Sequence, residues 1–177
     1  IPAVVERGVL IRKFAAKSAR RRLRSLMELP QGPEPDTAGY KGFFYHFLDP
    51  ARGDRFGTVE LSTVDTALLV MGALFCQSYF DGESATEAEI RALADSLYSR
   101  ADWQWAAVRP PTIGHGWTPE AGHLPYDWRG YNEAMPVYLL ALGSPTHPVA
   151  PAAWQAWLAG YRWGEFQGRE QLGFAPL

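Results

Sequence analysis

Glu60-Leu61-Ser62-Thr63-Val64-Asp65-Thr66-Ala67 marks the point where an approaching strand gives way to the most apolar helix in the chain. Ser62 can cap that helix, and Asp65 stands three residues later. This is capping-box spacing, in which side chains satisfy the orphan amides of the first turn. Val64, Leu68, Leu69, Val70, Met71, Ala73, Leu74 and Phe75 then cover most of the helix circumference from Ser62 to Phe80. A helix apolar all round is expected in an interior. Glu60 and Asp65 therefore crowd two carboxylates at the edge of a core, which suits acid/base chemistry as well as it suits a cap.

On the N-terminal side, Gly42 to Leu48 reads as a strand, a turn lies around Pro50 to Asp54, and Phe56 to Leu61 can return as its partner. His46 sits among aromatic residues of that hairpin. Before it, Pro30 to Gly39 is a proline-rich breaker stretch that follows an amphipathic helix from Leu10 to Glu28. The basic run Arg20 to Arg22 lies on the wet face of that helix and is read as a solvated face. Glu6-Arg7-Gly8 reads as the tail of a helix, as though the chain begins mid-fold.

On the C-terminal side, Thr86 with Glu89 predicts a second capping box for a peripheral helix from Thr86 to Ala101. Trp103 to Trp128 is a long passage without helical periodicity, and loops of such length are usually functional. Tyr131 to Leu142 returns to an almost fully apolar helix with Glu133 in its first turn, where Pro136 is tolerated. A short helix carrying Trp154 and Trp157 begins at Pro151. The segment from Tyr161 to Leu177 is rich in glycine and aromatics and has no clear ending. Peripheral and interior helices thus alternate, which predicts an all-α fold. Inner and outer helices would form part of a helical toroid, with β-hairpin loops at the cleft rim. A globular bundle is the alternative.

The 177 residues suit one domain. A net charge of −2 gives no general attraction to phosphate backbones, which argues against a nucleic-acid partner. No apolar run approaches the roughly 20 residues that span a bilayer, so no membrane insertion is expected, and the opening residues lack the pattern of a signal peptide. The single cysteine, Cys76, allows no internal disulfide. The informative excess is aromatic: seven Trp, eight Tyr and nine Phe, many beside Gly, Pro, His, Arg and carboxylates. Sugar rings stack their apolar faces on such side chains while hydroxyls bond to polar neighbours, so composition leans towards a carbohydrate cleft.

Glycoside hydrolysis needs two carboxyl groups across the scissile bond. Glu60, Asp65, Glu120, Asp127 and Glu133 are the candidates, because each lies in or beside a loop entering an interior helix. Asp65 and Glu133 would occupy equivalent first-turn places on successive helices, where the helix dipole alone could also account for them. The tracts Gly114 to Glu120 and Asp127 to Glu133 interleave aromatic, donor and carboxylate residues as a sugar site does. His115, Glu120 and His123 lack the spacing of metal ligands, so no metal is expected.

Gly42-Phe-Phe-Tyr-His-Phe-Leu-Asp49, Glu60-Leu-Ser-Thr-Val-Asp-Thr66, His115-Gly-Trp-Thr-Pro-Glu120, Trp128-Arg-Gly-Tyr-Asn-Glu-Ala-Met135 and Leu142-Gly-Ser-Pro-Thr-His-Pro148 occur in this order. At these motifs the chain resembles the glycoamylase-like family, which includes the endo-β-1,2-glucanases of glycoside hydrolase family 144. The resemblance implies an (α/α)6 barrel, cleavage of β-1,2-glucan without a metal or organic cofactor, and a bacterial periplasmic or secreted setting. It implies Asp65 and Glu133 as acid/base residues, with Glu60 in reserve. Trp117, Trp128, Arg129, Tyr131 and Asn132 become sugar-binding candidates, joined by His46, His115 and Glu120. The implied partner is an oligo- or polysaccharide. Twelve barrel helices need roughly 300 residues or more, so residues 1–177 read as an internal portion of such a domain, with missing segments or self-association left to complete the cleft. The alternatives are a transglycosylating domain related to cyclic β-1,2-glucan synthesis and a non-catalytic glucan-binding module.

Overall fold

A computed structural model describes residues 1–175; Pro176 and Leu177, the end of the aromatic-rich tail, lie outside the described residues. The chain opens with α1 (Pro2–Glu6), which ends before Gly8 at φ +69°, and α2 (Arg12–Glu28). Helix α2 buries Ala15, Ala16, Ala19 and Leu23 on one stripe, the amphipathic pattern expected of it. Three strands follow: β1 (Gly39–Tyr40), β2 (Phe43–Tyr45) and β3 (Leu61–Ser62). Tyr40 pairs with Phe43, which leaves Lys41 and Gly42 as a two-residue turn, both at positive φ (56° and 83°). That is the turn whose twist matches a β-hairpin. A Cβ on Gly42 would also lie 2.3 Å from the Arg100 carbonyl oxygen, so glycine is required twice over.

Strand β3 leads directly into α3 (Thr63–Tyr79), capped by Ser62 as its spacing predicts. Helix α4 (Ala85–Ser99) starts earlier than expected, because the cap is Ser84, whose hydroxyl accepts from the Glu87 amide at 3.2 Å, and not Thr86. The passage after it contains the single turn α5 (Trp103–Ala106) and the strands β4 (Gly116–Thr118) and β5 (Gly122–His123). Helices α6 (Met135–Gly143) and α7 (Ala152–Leu158) follow, then the hairpin β6 (Arg162–Phe166) and β7 (Arg169–Gly173), which is almost wholly exposed.

The all-α expectation is overturned. Five strands form one antiparallel sheet in the order β1-β2-β3-β4-β5, with β6 and β7 as a separate two-stranded sheet. Segments read as hairpin loops belong to a single sheet because β3 pairs with β4, Ser62 opposite Gly116, across the whole of α3 and α4. Strands of two or three residues are too short to show a period of two, and a pairing this distant leaves no local trace.

One face of the sheet carries Tyr40 and Phe43 against Trp103 and Trp105, with Phe43 edge-on to Trp103 at 5.1 Å. The other carries Phe44 and Ser62 towards α3, where Thr66 Oγ1 accepts the Phe44 amide at 2.9 Å. Helix α3 packs between α4 and α6, α2 lies on α4, and α7 lies on α6. The expectation that α3 is covered on all sides needs correction. Leu68, Met71 and Phe75 are 49%, 44% and 60% exposed on its far side, and Leu139 of α6 is 52% exposed.

Candidate active site

Pairing of Tyr45 with Leu61 sets the next residues, His46 and Glu60, side by side, and the His46 amide donates to the Glu60 carbonyl at 2.8 Å. Because side chains alternate across a sheet, His46, Glu60 and Ser62 share one face. Gly116 makes room for them: a Cβ there would lie 2.2 Å from the Leu61 carbonyl oxygen and 3.4 Å from Glu60 Cγ. This face and the first turn of α3 form one wall of a cleft of about 370 Å³, lined by His46, Glu60, Asp65, His115, Trp128 and Glu133 among others.

Asp65 is the third residue of α3. Ser62 Oγ donates to Asp65 Oδ2 at 2.6 Å and accepts the Asp65 amide at 3.2 Å, so the cap also fixes the carboxylate at the cleft. The positive end of the helix dipole favours an anion there. Ser62→Ala removes both bonds and is expected to lower unfolding stability by about 1 kcal/mol, read from the urea midpoint. An unchanged midpoint would show that the cap does not hold this turn.

Glu60 meets His46 Nδ1 at 2.9 Å, and Nε2 of the same ring is 3.7 Å from Asp65 Oδ2. Partial burial pushes the Glu60 carboxyl upward, but the His46 hydrogen bond, a backbone hydrogen bond and the nearby Arg55 outweigh it. The net direction is below the ordinary carboxylate value, so Glu60 is anionic near neutrality and Nδ1 carries the proton between them.

His115 and Trp128 line the cleft beside the start of α3, where the Thr63 amide donates to the His115 carbonyl at 3.1 Å. The His115 ring stacks on the Trp128 indole at 3.7 Å and 17°, and Trp128 Nε1 donates to Thr63 Oγ1 at 2.9 Å. Burial holds the His115 imidazole below its usual range against the opposing charge of Asp127, which favours the neutral ring. Tyr138 donates to the Trp128 carbonyl at 2.7 Å, and burial pushes its phenol up to about 12.

Glu133 stands in the turn before α6, not in the first turn expected for it. The Asn132 side chain shapes that turn: Nδ2 donates to the Arg129 carbonyl at 3.1 Å, and Oδ1 accepts the Ala134 amide at 3.1 Å. The helix therefore starts later, and Glu133 is presented to the cleft from a turn.

Glu60, Asp65, Glu133, His46, His115 and Trp128 are thus brought together. Arg129 and Asn132 line an adjoining hollow. Trp117 lies elsewhere, packed against Tyr40 and Trp105 with centroids 5.2 and 6.0 Å away. Glu120 forms a forked ion pair with the buried Arg55, at 2.6 and 3.1 Å, which ties the β4–β5 turn to the loop before β3. Tyr131 packs edge-on to Tyr161 and Phe174. The sequence reading missed Leu124 as a lining residue, for which no signal exists. It also missed the clamp in which Arg109 Nε and Nη2 bind Asp127 Oδ1 at 3.0 and 2.6 Å. Among the described residues, no group of three or more His, Cys, Asp or Glu side chains is arranged to hold a metal ion.

The Glycoamylase family model ("Putative glucoamylase") matches residues 125–177. Over 159 residues the chain is 28% identical to an exo β-1,2-glucooligosaccharide sophorohydrolase (non-reducing end) of Parabacteroides distasonis, covering 85% of this chain and 21% of that one. The structure of a "putative glucoamylase" from Bacteroides fragilis superposes with a TM-score of 0.83 at 26% identity, covering 97% of this chain and 42% of that one. An endo-β-1,2-glucanase from Chitinophaga pinensis shares the fold with a TM-score of 0.83 at 21% identity, covering 96% and 41%. The chain therefore spans about a fifth of the curated relative and about two fifths of these solved structures. The resemblance to the glycoamylase-like family, first visible in the ordered motifs, is borne out by the family model at the C-terminal end and by the relatives along nearly the whole chain.

Proposed function

We propose that the cleft cleaves a β-linked glucan, with β-1,2-glucan as substrate, and that Asp65 and Glu133 are the two carboxylates that carry the reaction. The observation that supports this most is convergence. Three carboxylates from two segments far apart in the chain, Glu60 to Asp65 and the turn at Glu133, meet in one cleft beside a stacked His–Trp wall. The names of the sophorohydrolase and the endo-β-1,2-glucanase support the choice of linkage.

Cleavage of a glycosidic bond requires one carboxyl group to protonate the leaving oxygen. A second must act on the other face of the sugar, either directly or through a water. Glu60 is poorly suited to be the proton donor, because a general acid must hold its proton near the working pH and Glu60 is kept anionic. As the second, anionic carboxylate it is already engaged by His46. Asp65, fixed by Ser62, and Glu133, in the turn before α6, are the two cleft carboxylates not so engaged.

The protein is expected to release reducing ends from linear β-1,2-glucan and not from β-1,3- or β-1,4-glucan of matched length. Equal release from all three would overturn the linkage, and no release from any would overturn the hydrolase reading.

A further inference from the structure

Helix α2 carries seven cations and one carboxylate, Glu28, in a chain whose net charge is −2. From the sequence alone, its basic run is a solvated face. The structure divides these cations by what they touch. Arg12 holds Asp81 at 3.0 Å and Glu87 at 2.8 Å, which ties the start of α2 to the connection between α3 and α4. Arg20 and Arg24 both reach Glu89 on α4, and Arg22 lines the groove that α2 shares with α3. Lys13, Lys17 and Arg21 are exposed and make no ion pair among the described residues.

Those three cations stand four residues apart, so they form one row about 12 Å long. The row points away from the body of the protein, because Ala15, Ala16, Ala19 and Leu23 bury the other side of the helix. Phe14 is 56% exposed and borders one shallow depression with Lys17 and Arg21. Ile11, one turn before Phe14, and Val9 are 69% and 75% exposed. Ion pairs with α4 account for Arg12, Arg20 and Arg24. They do not account for a row of unpaired cations flanked by three exposed apolar side chains. That combination suits a lipid surface, where cations meet anionic headgroups and apolar side chains enter the boundary with the acyl chains. A duplex phosphate backbone would use the row but leave the apolar side chains in water.

We propose that this face of α2 seats the protein on an anionic phospholipid surface, with Lys13, Lys17 and Arg21 over the headgroups and Val9, Ile11 and Phe14 at the edge of the acyl region. No helix among the described residues is long and apolar enough to cross a bilayer, so this is attachment and not insertion. The face is separate from the carboxylate cleft, whose lining includes none of these residues.

Co-sedimentation with sucrose-loaded vesicles tests it, using phosphatidylcholine alone and an equimolar mixture with phosphatidylglycerol. Partition is expected into the anionic vesicles only, and it should fall at high salt. Lys17→Ala combined with Arg21→Ala should weaken it about 30-fold, at about fivefold for each cation near an anionic surface. Phe14→Ser should weaken it about tenfold. Arg162→Ala combined with Arg169→Ala, an equal loss of charge on the exposed β6–β7 hairpin, should change it by less than about twofold. No partition into the anionic vesicles at low salt overturns the inference. So does an equal loss in the two double variants, since binding would then follow overall charge and not this face. A Phe14→Ser protein that partitions as well as the parent also overturns it, and points to a soluble polyanion held by the cations alone. Vesicle binding requires no glucan cleavage, so failure of the functional reading above leaves this test intact.

Discussion

Glu133→Gln is expected to lower kcat on linear β-1,2-glucan by about 10²- to 10⁴-fold, the range for removing a positioned proton-transfer group. The thermal midpoint should barely move. Glu133 is exposed in a turn whose shape is set by Asn132, so the amide removes a proton site without removing a support. Asp65→Asn should produce a kinetic loss of similar size with a small stability cost, because Ser62 Oγ keeps a partner in the new amide. Groups that act as a unit are not additive, so the double variant should be little slower than either single one. Glu60→Gln is the control, and a smaller loss is expected because its carboxylate already serves His46. If Glu133→Gln kept more than half the activity while Glu60→Gln lost most of it, the carboxylate pair would have to be redrawn.

Trp103→Ala is expected to cost about 3–5 kcal/mol of unfolding free energy. Trp103 is fully buried and meets Phe43 edge-on beneath the sheet. The turn that carries it is pinned from both sides. The Asp102 amide donates to the Lys41 carbonyl at 2.9 Å, and Asp102 Oδ1 caps the Trp105 amide at 2.9 Å. The surroundings are therefore poorly able to collapse into the space left behind. Since single domains hold only about 5–15 kcal/mol in total, the variant should unfold at a much lower urea concentration with an unchanged slope. Trp103→Phe keeps most of the volume and should lose much less. A loss below about 1 kcal/mol for the alanine variant would show that this aromatic layer does not hold the sheet to the helices.

Much of what was legible locally came true locally, although Ser84 and not Thr86 caps α4. Helix α2 showed its stripe, α3 showed its cap at Ser62, and the return of the chain after Phe43 to Tyr45 was visible in its aromatic run. The carboxylates of the cleft were also legible, because Glu60 and Asp65 stand beside a helix start and Glu133 beside another. The β1–β2 turn could have been found from Lys41-Gly42, a pair compatible with two positive φ angles. Its two-residue strands gave no pattern to attach it to. Trp117 and Glu120 were misplaced for a different reason. Their tract has a binding-site composition, but the face on which Trp117 points depends on strand register, and Glu120 in the β4–β5 turn is drawn away by Arg55, a partner 65 residues distant in the chain.

The sequence by itself determined the helices with a clear apolar stripe, the cap that anchors Asp65, the family resemblance, and the candidate carboxylates, since all of these are written in spacings of three or four residues or in contiguous motifs. Only the tertiary structure decided that the fold contains a five-stranded sheet, that His46 bonds to Glu60 with its other nitrogen 3.7 Å from Asp65, that His115 lies flat on Trp128, and that Glu133 lines the cleft from a turn. Each of those depends on residues far apart in the chain, such as Ser62 and Gly116, meeting in one register. Their free energy arises from desolvation and hydrogen bonding at the meeting point, which no short window of sequence contains.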